Sequence, residues 1–332
     1  MRIFNGVDSF RERNEKIVLA LGNFDGVHLG HQHIIQKTVL TAGRKGLKSA
    51  ALVFTPHPLT VLGGKGLPLL TSLEERAGLF KSLGLDYLLL EPFTLELSRL
   101  QPQSFVKRYF TQILNIDTLT VGYDYTFGVN GSGSAADLKK MGKYYGFCVE
   151  VCSPVLVDGK PVSSSLIKKL IDEGNVVEAA KHLNYYFRRN GIVIKGDGRG
   201  KALGYPTANL QFAPNLLRPK NGVYLTAVLY NNELFFGLTN IGIRPTFAKK
   251  ELSIETFVFN LSKNLYGEEL TLLFLQKVRE ELFFEDFKAL QNQIAADTEN
   301  AQKLIETKFK KINTGFFSNP KLSKRQFIYI AD

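Results

Sequence analysis

The chain of 332 residues carries little cysteine, no long apolar run and fewer acids than bases. No run of 18 apolar residues occurs, so a membrane-spanning helix is not expected. The opening MRIFNGVDSFRERNEK has no apolar core of signal-peptide length, so export is not expected and the cytoplasm is the expected compartment. Cys148 and Cys152 are the two cysteines, both in one expected strand. Two such thiols do not make a disulfide scaffold, and they read as reduced packing residues rather than a metal site. Forty-two Lys and Arg against 31 Asp and Glu leave a net charge of +11. That balance admits nucleic acid, anionic membrane or nucleotide partners. Part of the excess is local: Lys303, Lys308, Lys310, Lys311, Lys321, Lys324 and Arg325 stand against Glu306. The plain reading is a solvated helix face and a basic extension over 313–332, with nucleic acid and membrane not expected as partners. Nothing here points to a protein partner.

What is present is organised around residues 17–32, IVLALGNFDGVHLGHQ. Residues 17–21 read as a buried parallel strand, and Gly22, Asn23, Phe24, Asp25 and Gly26 form a tight turn after it. An amphipathic helix over 31–45 follows, with Ile34, Ile35 and Val39 on its apolar side. A strand, a glycine turn and a helix N-terminus together make a place for phosphate, because free N–H groups and the positive end of the helix dipole meet there. Gly26 and Gly30 let the main chain approach a ligand. His28 and His31, three apart, can face one anion and donate hydrogen bonds to a phosphate that gathers charge in a transition state. The alternative is that they cap the turn. Neither has a serine or cysteine partner in the motif, so no covalent step is needed.

Further on, apolar runs alternate with helical patterns. Strands are expected at 50–54, 87–90, 118–122 and 147–152, and helices at 73–83, 104–114 and 136–145. Thr71 or Ser72 opens the first of these helices, with Glu74 and Glu75 in its first turn. This alternation predicts a parallel sheet covered on both faces, with ligands at the carboxyl ends of its strands. Pro56 and His57, and the aromatic glycine loop 121–133 with Asp124, Tyr125 and Phe127, fall at such ends. VSSSLIK at 162–168 opens a helix reaching about 173; its serines cap, or with Lys168 they suit a triphosphate. A further helix at 176–183 ends the α/β part.

From 191 the texture becomes short strands with glycine turns, at 191–194, 223–230, 234–241, 255–259 and 270–275, which argues for an antiparallel barrel. A last helix over 285–312 places Phe287, Leu290, Ile294, Ala301, Ile305 and Phe309 on one face, against the barrel. Gly196, Gly198 and Lys201 lie in a basic glycine loop. Thr207 and Asn209 alternate about Ala208 and so point to one side, where a hydroxyl and an amide oxygen suit Mg²⁺ shared with ATP phosphates.

GNFDGVHLGH resembles the H-x-G-H signature of nucleotidylyltransferases, in the form found in bacterial bifunctional riboflavin kinase/FMN adenylyltransferases. VGYDYTFG (121–128) and VSSSLIK resemble later segments of that module. Residues 191–210, LTNIGIRPTF (238–247), ETF (255–257), LYG (265–267) and KVRE (277–280) resemble riboflavin kinase in the same order. The resemblance spans roughly 17–301. It implies a nucleotidylyltransferase-like doubly wound α/β domain over 1–184, then a riboflavin-kinase-like β-barrel with a C-terminal helix over 185–312. It implies ATP-dependent conversion of riboflavin to FMN and of FMN to FAD, with ATP as co-substrate, Mg²⁺ as metal and FMN and FAD as products. His28, His31 and Lys168 would act in adenylyl transfer. Gly22, Asn23, Phe24, Asp25, Gly26, Gly30, Asp124, Ser164 and Ser165 would hold its nucleotide. Glu255 would be the kinase base, Gly196, Gly198, Lys201, Pro206, Thr207 and Asn209 the kinase phosphate and metal set, and Pro56, His57, Tyr125, Phe127 and Arg279 the flavin side. Two alternatives stay open: a kinase whose adenylyltransferase half is weak or silent, and a flavin- or nucleic-acid-binding regulator.

Overall fold

The computed structural model describes residues 1–311 except 12, 14, 64–67, 197–199, 201–203, 246–249 and 311, and also residue 312. Gly198, Lys201 and the basic extension over 313–332 lie outside the described residues. The chain forms two compact units, Met1–Ser164 and Ser165–Asp332.

The first unit is a six-stranded parallel sheet in the order Arg2–Asn5, Tyr87–Pro92, Lys48–Thr55, Ile17–Leu21, Ile116–Gly122, Cys148–Cys152. Strand Ile17–Leu21 is flanked on both sides, Leu19 lying between Ala50 and Leu119. Its residues are at most 1% exposed, which explains the uninterrupted apolar run. Burying each of Ile17, Val18, Leu19 and Leu21 contributes about 1.5–3 kcal/mol. From this strand the chain first builds outward through Lys48–Thr55 to Tyr87–Pro92, then returns to its other side at Ile116–Gly122. The reversal opens a crevice where strands Ile17–Leu21 and Ile116–Gly122 end.

Helix Leu29–Lys45 starts two residues earlier than the sequence pattern suggested, with His28 as its N-cap. Helix Leu73–Ser82 is opened by Ser72 and Glu75, each side chain accepting the other's backbone N–H. The expected helix over 104–114 is a short α-helix, Pro102–Val106, running into a π-helical stretch, Lys107–Ile113. Strand Arg2–Asn5 was not expected; it pairs with Tyr87–Leu90, and the Val7 N–H just beyond it donates to Glu91 Oε2 at 2.8 Å. Both cysteines are free, but the packing reading holds for Cys152 alone. Cys148 opens an edge strand and is exposed.

Helix Ser164–Asp172, whose first residue closes the first unit, and helix Val176–Leu183 precede a closed antiparallel barrel in the second. Its order is Arg188–Ile194, Ala208–Phe212, Lys250–Val258, Glu233–Pro245, Gly222–Tyr230, Glu269–Arg279, the last pairing back to the first. Three threonines without solvent exposure, Thr226, Thr239 and Thr256, lie on adjacent strands of its wall. Their hydroxyls are joined in series at 2.9 Å and 2.9 Å, and Thr226 also donates to the Gly237 carbonyl at 3.2 Å. Helix Phe287–Leu304, capped by Asp286, continues as a π-helical turn, Ile305–Phe309. Ala301 and Phe309 are buried as expected, whereas Phe287, the first helical residue, is 55% exposed and drops off the apolar face.

Candidate active sites

The loop after strand Ile17–Leu21 is a tight structure with φ of 52° at Phe24, 84° at Gly26 and 37° at Val27. Residues 70–76 brace it from below. Asp25 Oδ1 accepts the backbone N–H groups of Leu70 (2.9 Å) and Thr71 (3.2 Å), and Gly26 N–H donates to Thr71 Oγ1 at 2.9 Å. Arg76, 5% exposed, donates through a guanidinium nitrogen to the Asn23 carbonyl at 2.7 Å. Ser164 Oγ donates to the Asp25 carbonyl at 2.9 Å. Asp25 thus faces main-chain donors within the loop's own scaffold.

The two histidines meet on the turn this loop enters. Their rings stack with centroids 3.5 Å apart. His28 Nδ1 accepts the His31 backbone N–H at 3.4 Å, so the proton of a neutral His28 sits on Nε2. A Cβ at Gly30 would stand 3.3 Å from the His28 ring. The close approach at Gly30 is therefore to an imidazole. Phe24 packs edge-on against His31 at 5.3 Å and against Phe80 at 5.6 Å. Burial among these rings holds His31 well below the ordinary imidazole range, and His28 and Arg76 add to the shift. His31 presents a neutral ring, able to donate a hydrogen bond without carrying charge.

Beside this turn lies a cavity of about 360 Å³ in the crevice that the strand reversal opens. Gly22 and Asn23 line it, with Phe54, Phe93, Phe105, Tyr125 and Phe127 forming an aromatic wall. Burial raises the Tyr125 hydroxyl well above its ordinary range, keeping it neutral. Pro58 is also in the lining. His57 caps the short helix Pro58–Val61 by accepting the Leu59 N–H at 3.3 Å, and Pro56 before it is exposed. Asp124 is exposed beside Gly122, where a Cβ would stand 3.1 Å from its Oδ1. Ser165 and Lys168 lie on helix Ser164–Asp172, within the second unit.

The barrel holds a cavity of about 300 Å³ lined by Thr207, Asn240, Glu255, Phe257, Arg279 and Asp297 among others. Glu255 is fixed from two sides: Thr207 Oγ1 donates to its Oε2 at 3.1 Å and Ser253 Oγ to its Oε1 at 3.0 Å. Asn209 pairs in register with Glu255, so hydroxyl, amide and carboxylate gather on neighbouring strands. A Cβ at Gly196 would fall 2.1 Å from the Asn209 amide, so a side chain there would displace that amide. Pro206 is exposed next to Thr207. Arg279 Nε donates to both carboxylate oxygens of Asp297, at 3.1 and 2.9 Å, and Gln293 also donates to Asp297 at 2.8 Å. The roles of Asp297, Thr71 and Arg76 have no signal in the local sequence: Thr71 and Arg76 act on partners 45 and 53 residues away, and Asp297 on Arg279, 18 residues away.

These features define a two-domain phosphate-transfer enzyme: a nucleotidylyltransferase-like sheet with a histidine pair at its switch point, and a riboflavin-kinase-like barrel with a buttressed carboxylate. The family profile described as FAD synthetase matches residues 10–166, and the riboflavin kinase profile matches 183–305. A bifunctional riboflavin kinase/FMN adenylyltransferase of Listeria monocytogenes is 38% identical over 86% of this chain and 91% of its own length. One from Bacillus subtilis is 34% identical over 88% and 93% of the two chains. A solved structure described as a macrolide-efflux protein from Streptococcus pneumoniae superposes with a TM-score of 0.82 at 27% identity, covering 91% of this chain and 99% of that one. Among the described residues here, no helix is long and apolar enough to cross a membrane. The chain belongs to the bifunctional riboflavin kinase/FMN adenylyltransferase family.

Proposed function

We propose that the barrel transfers the γ-phosphoryl group of ATP to the ribityl 5′-hydroxyl of riboflavin, giving FMN and ADP. The sheet domain then transfers AMP from ATP to the FMN phosphate, giving FAD and pyrophosphate. The observation that carries both steps is that each unit has its own cavity, lined by residues of the matching family segment.

In the barrel the nucleophile is a neutral hydroxyl, so a base is useful. Glu255, held by Thr207 and Ser253, takes the hydroxyl proton as the oxygen attacks the γ-phosphorus. The oxygen donors of Thr207 and Asn209 fit Mg²⁺, which typically takes one or two protein ligands and completes its shell with phosphates and water. Such an ion would neutralise charge building on the β- and γ-phosphates. Gly196, Gly198, Lys201 and Pro206 belong to the same phosphate set, and Arg279 stands on the flavin side.

In the sheet domain the nucleophile is already an anionic phosphate, so no base is needed. The FMN phosphate oxygen attacks the α-phosphorus and pyrophosphate departs with the bonding pair. His28 and His31 donate N–H groups to the charge that develops. Gly22 to Gly26, Gly30, Asp124 and Ser164 shape the nucleotide site, and Ser165 and Lys168 are assigned to the triphosphate on the family motif alone. Tyr125 and Phe127 line the flavin side, with Pro56 and His57 beside them. We place the boundary between the two catalytic domains at 184/185 and the protein in the cytoplasm.

Incubating the purified chain with riboflavin, ATP and Mg²⁺ and separating products by chromatography tests this. FMN followed by FAD is expected; FMN that accumulates without FAD removes the second step.

A further inference from the structure

Helix Leu73–Ser82 contributes nothing to the lining of the crevice cavity, yet it sends a buried guanidinium under the phosphate loop. We propose that Arg76 is a positioning residue for adenylyl transfer, which holds the phosphate loop, and with it the histidine turn, through the Asn23 carbonyl. This deepens, and rests on, the reading of the histidine turn as the adenylyl-transfer site.

The geometry is that of a brace with a charge at its centre. Arg76 binds the Asn23 carbonyl at 2.7 Å, and the Ser72 carbonyl lies 3.5 Å from its Nε. The same stretch supplies Thr71, whose hydroxyl accepts the Gly26 N–H, and two N–H groups to Asp25. Every strained residue of the loop lies between these anchor points and the His28 cap. The Asn23 carbonyl, the Asp25 carboxylate and the Gly26 N–H are thus all tied to residues 70–76. Asn23 Oδ1 is itself buried without a hydrogen-bond partner, so the Asn23 main chain is the part of that residue that is secured.

The charge has a second effect. His31 is faced by His28 on its own turn and by Arg76 from the neighbouring helix, while Asp25 on the loop and Glu75 on the helix face Arg76. A fixed cation near a buried imidazole opposes its protonation. Arg76 thereby helps keep His31 a neutral donor over the pH range where the enzyme acts.

The test compares Arg76→Gln and Arg76→Lys with wild type, in the full chain, with riboflavin kinase activity as the internal control. Arg76→Gln keeps a donor of sorts but no charge. Its kcat for FAD formation is expected to fall about 10–100-fold, the size of effect that follows from misplacing reacting groups by about an ångström. Its loss is expected to be larger at pH 6 than at pH 8, because His31 now takes a proton more readily. Arg76→Lys keeps the charge and loses the fork, so kcat falls while the shape of the pH profile stays that of wild type. A ¹⁵N-histidine titration of each variant reads His31 directly and needs no turnover. Equal FAD formation in all three proteins overturns the proposal. So does an identical fractional loss at every pH together with an unmoved His31 titration, which would reduce Arg76 to a packing residue. If wild type itself makes no FAD, the underlying reading fails instead; and if Arg76→Gln does not fold, Arg76→Lys decides by retaining or losing kcat.

Discussion

The rings of His28 and His31 lie face to face, 3.5 Å between centroids and 18° from parallel. Two imidazoles at that distance cannot both hold a proton charge without strong repulsion. The pair therefore carries at most one proton charge, and the helix N-terminus behind it adds to the positive field offered to an anion.

In the proposed mechanism His28 has two separable tasks, capping the helix, which its Nδ1 does by accepting the His31 N–H, and donating to phosphate. His28→Ala is expected to cut FAD formation at least 100-fold and to lose about 1 kcal/mol with the cap. His28→Ser restores a capping oxygen but cannot reach the phosphate. Its melting temperature should return towards wild type while FAD formation stays low. FMN formation should be unchanged in both, measured by chromatography of the same reaction.

His31 makes stability depend on pH. Its folded pKa is depressed, so the unfolded chain takes up a proton at about 6.5 while the native chain does not. The stability is fully present above that value. Below it, stability falls by about 1.4 kcal/mol per pH unit until the folded pKa is reached. Urea midpoints between pH 7.5 and 5 should show this slope in wild type, and His31→Phe should be flatter by that amount.

Glu255→Gln should reduce FMN formation by about 100- to 10,000-fold, the range for loss of a general base. Conversion of added FMN to FAD should continue. Thr207 can still donate to the amide oxygen of the variant, so the fold should be little disturbed. Far-ultraviolet circular dichroism beside the two assays separates these outcomes.

The Arg279–Asp297 pair ties the last barrel strand to the C-terminal helix with side chains only 18% and 6% exposed. Asp297→Ala leaves a buried guanidinium without its carboxylate, and the loss should approach about 3 kcal/mol. The riboflavin KM should rise as Arg279 and the helix shift from the cavity wall, with the KM for FMN in adenylyl transfer unmoved. Thermal denaturation and paired kinetics measure the two effects.

The strands and the phosphate turn were legible because their signals are local. Ile17 to Leu21 is apolar at every position, as a strand buried on both faces must be, and the glycine and histidine spacing that follows fits within one turn of chain. Strand Arg2–Asn5 was not legible. It has two apolar residues, Ile3 is half exposed, and it exists because Tyr87–Leu90 offers it a partner. The π-helical stretch Lys107–Ile113 reads locally as ordinary helix, since its apolar spacing differs little from 3.6. The brace under the phosphate loop was invisible for another reason: Thr71 and Arg76 stand 45 and 53 residues from Gly26 and Asn23, and no periodicity links them. Cys148 is exposed where Cys152 is buried, because alternation specifies faces but not which end of an edge strand is covered.

The threonine series in the barrel wall has a direction. Thr226 gives its only hydroxyl proton to the Gly237 carbonyl, so at its other contact it must accept from Thr239. Thr239, having donated, must in turn accept from Thr256. Three O–H vectors thus run head to tail across three strands, locked by one main-chain oxygen and unable to reverse without breaking it. Such a wire is polar: its Thr256 end shows lone pairs and its Gly237 end is closed. Replacing Thr226 by valine removes the lock, so Thr239 and Thr256 become free to swap donor and acceptor, whereas valine at 256 leaves the remaining two aligned as before.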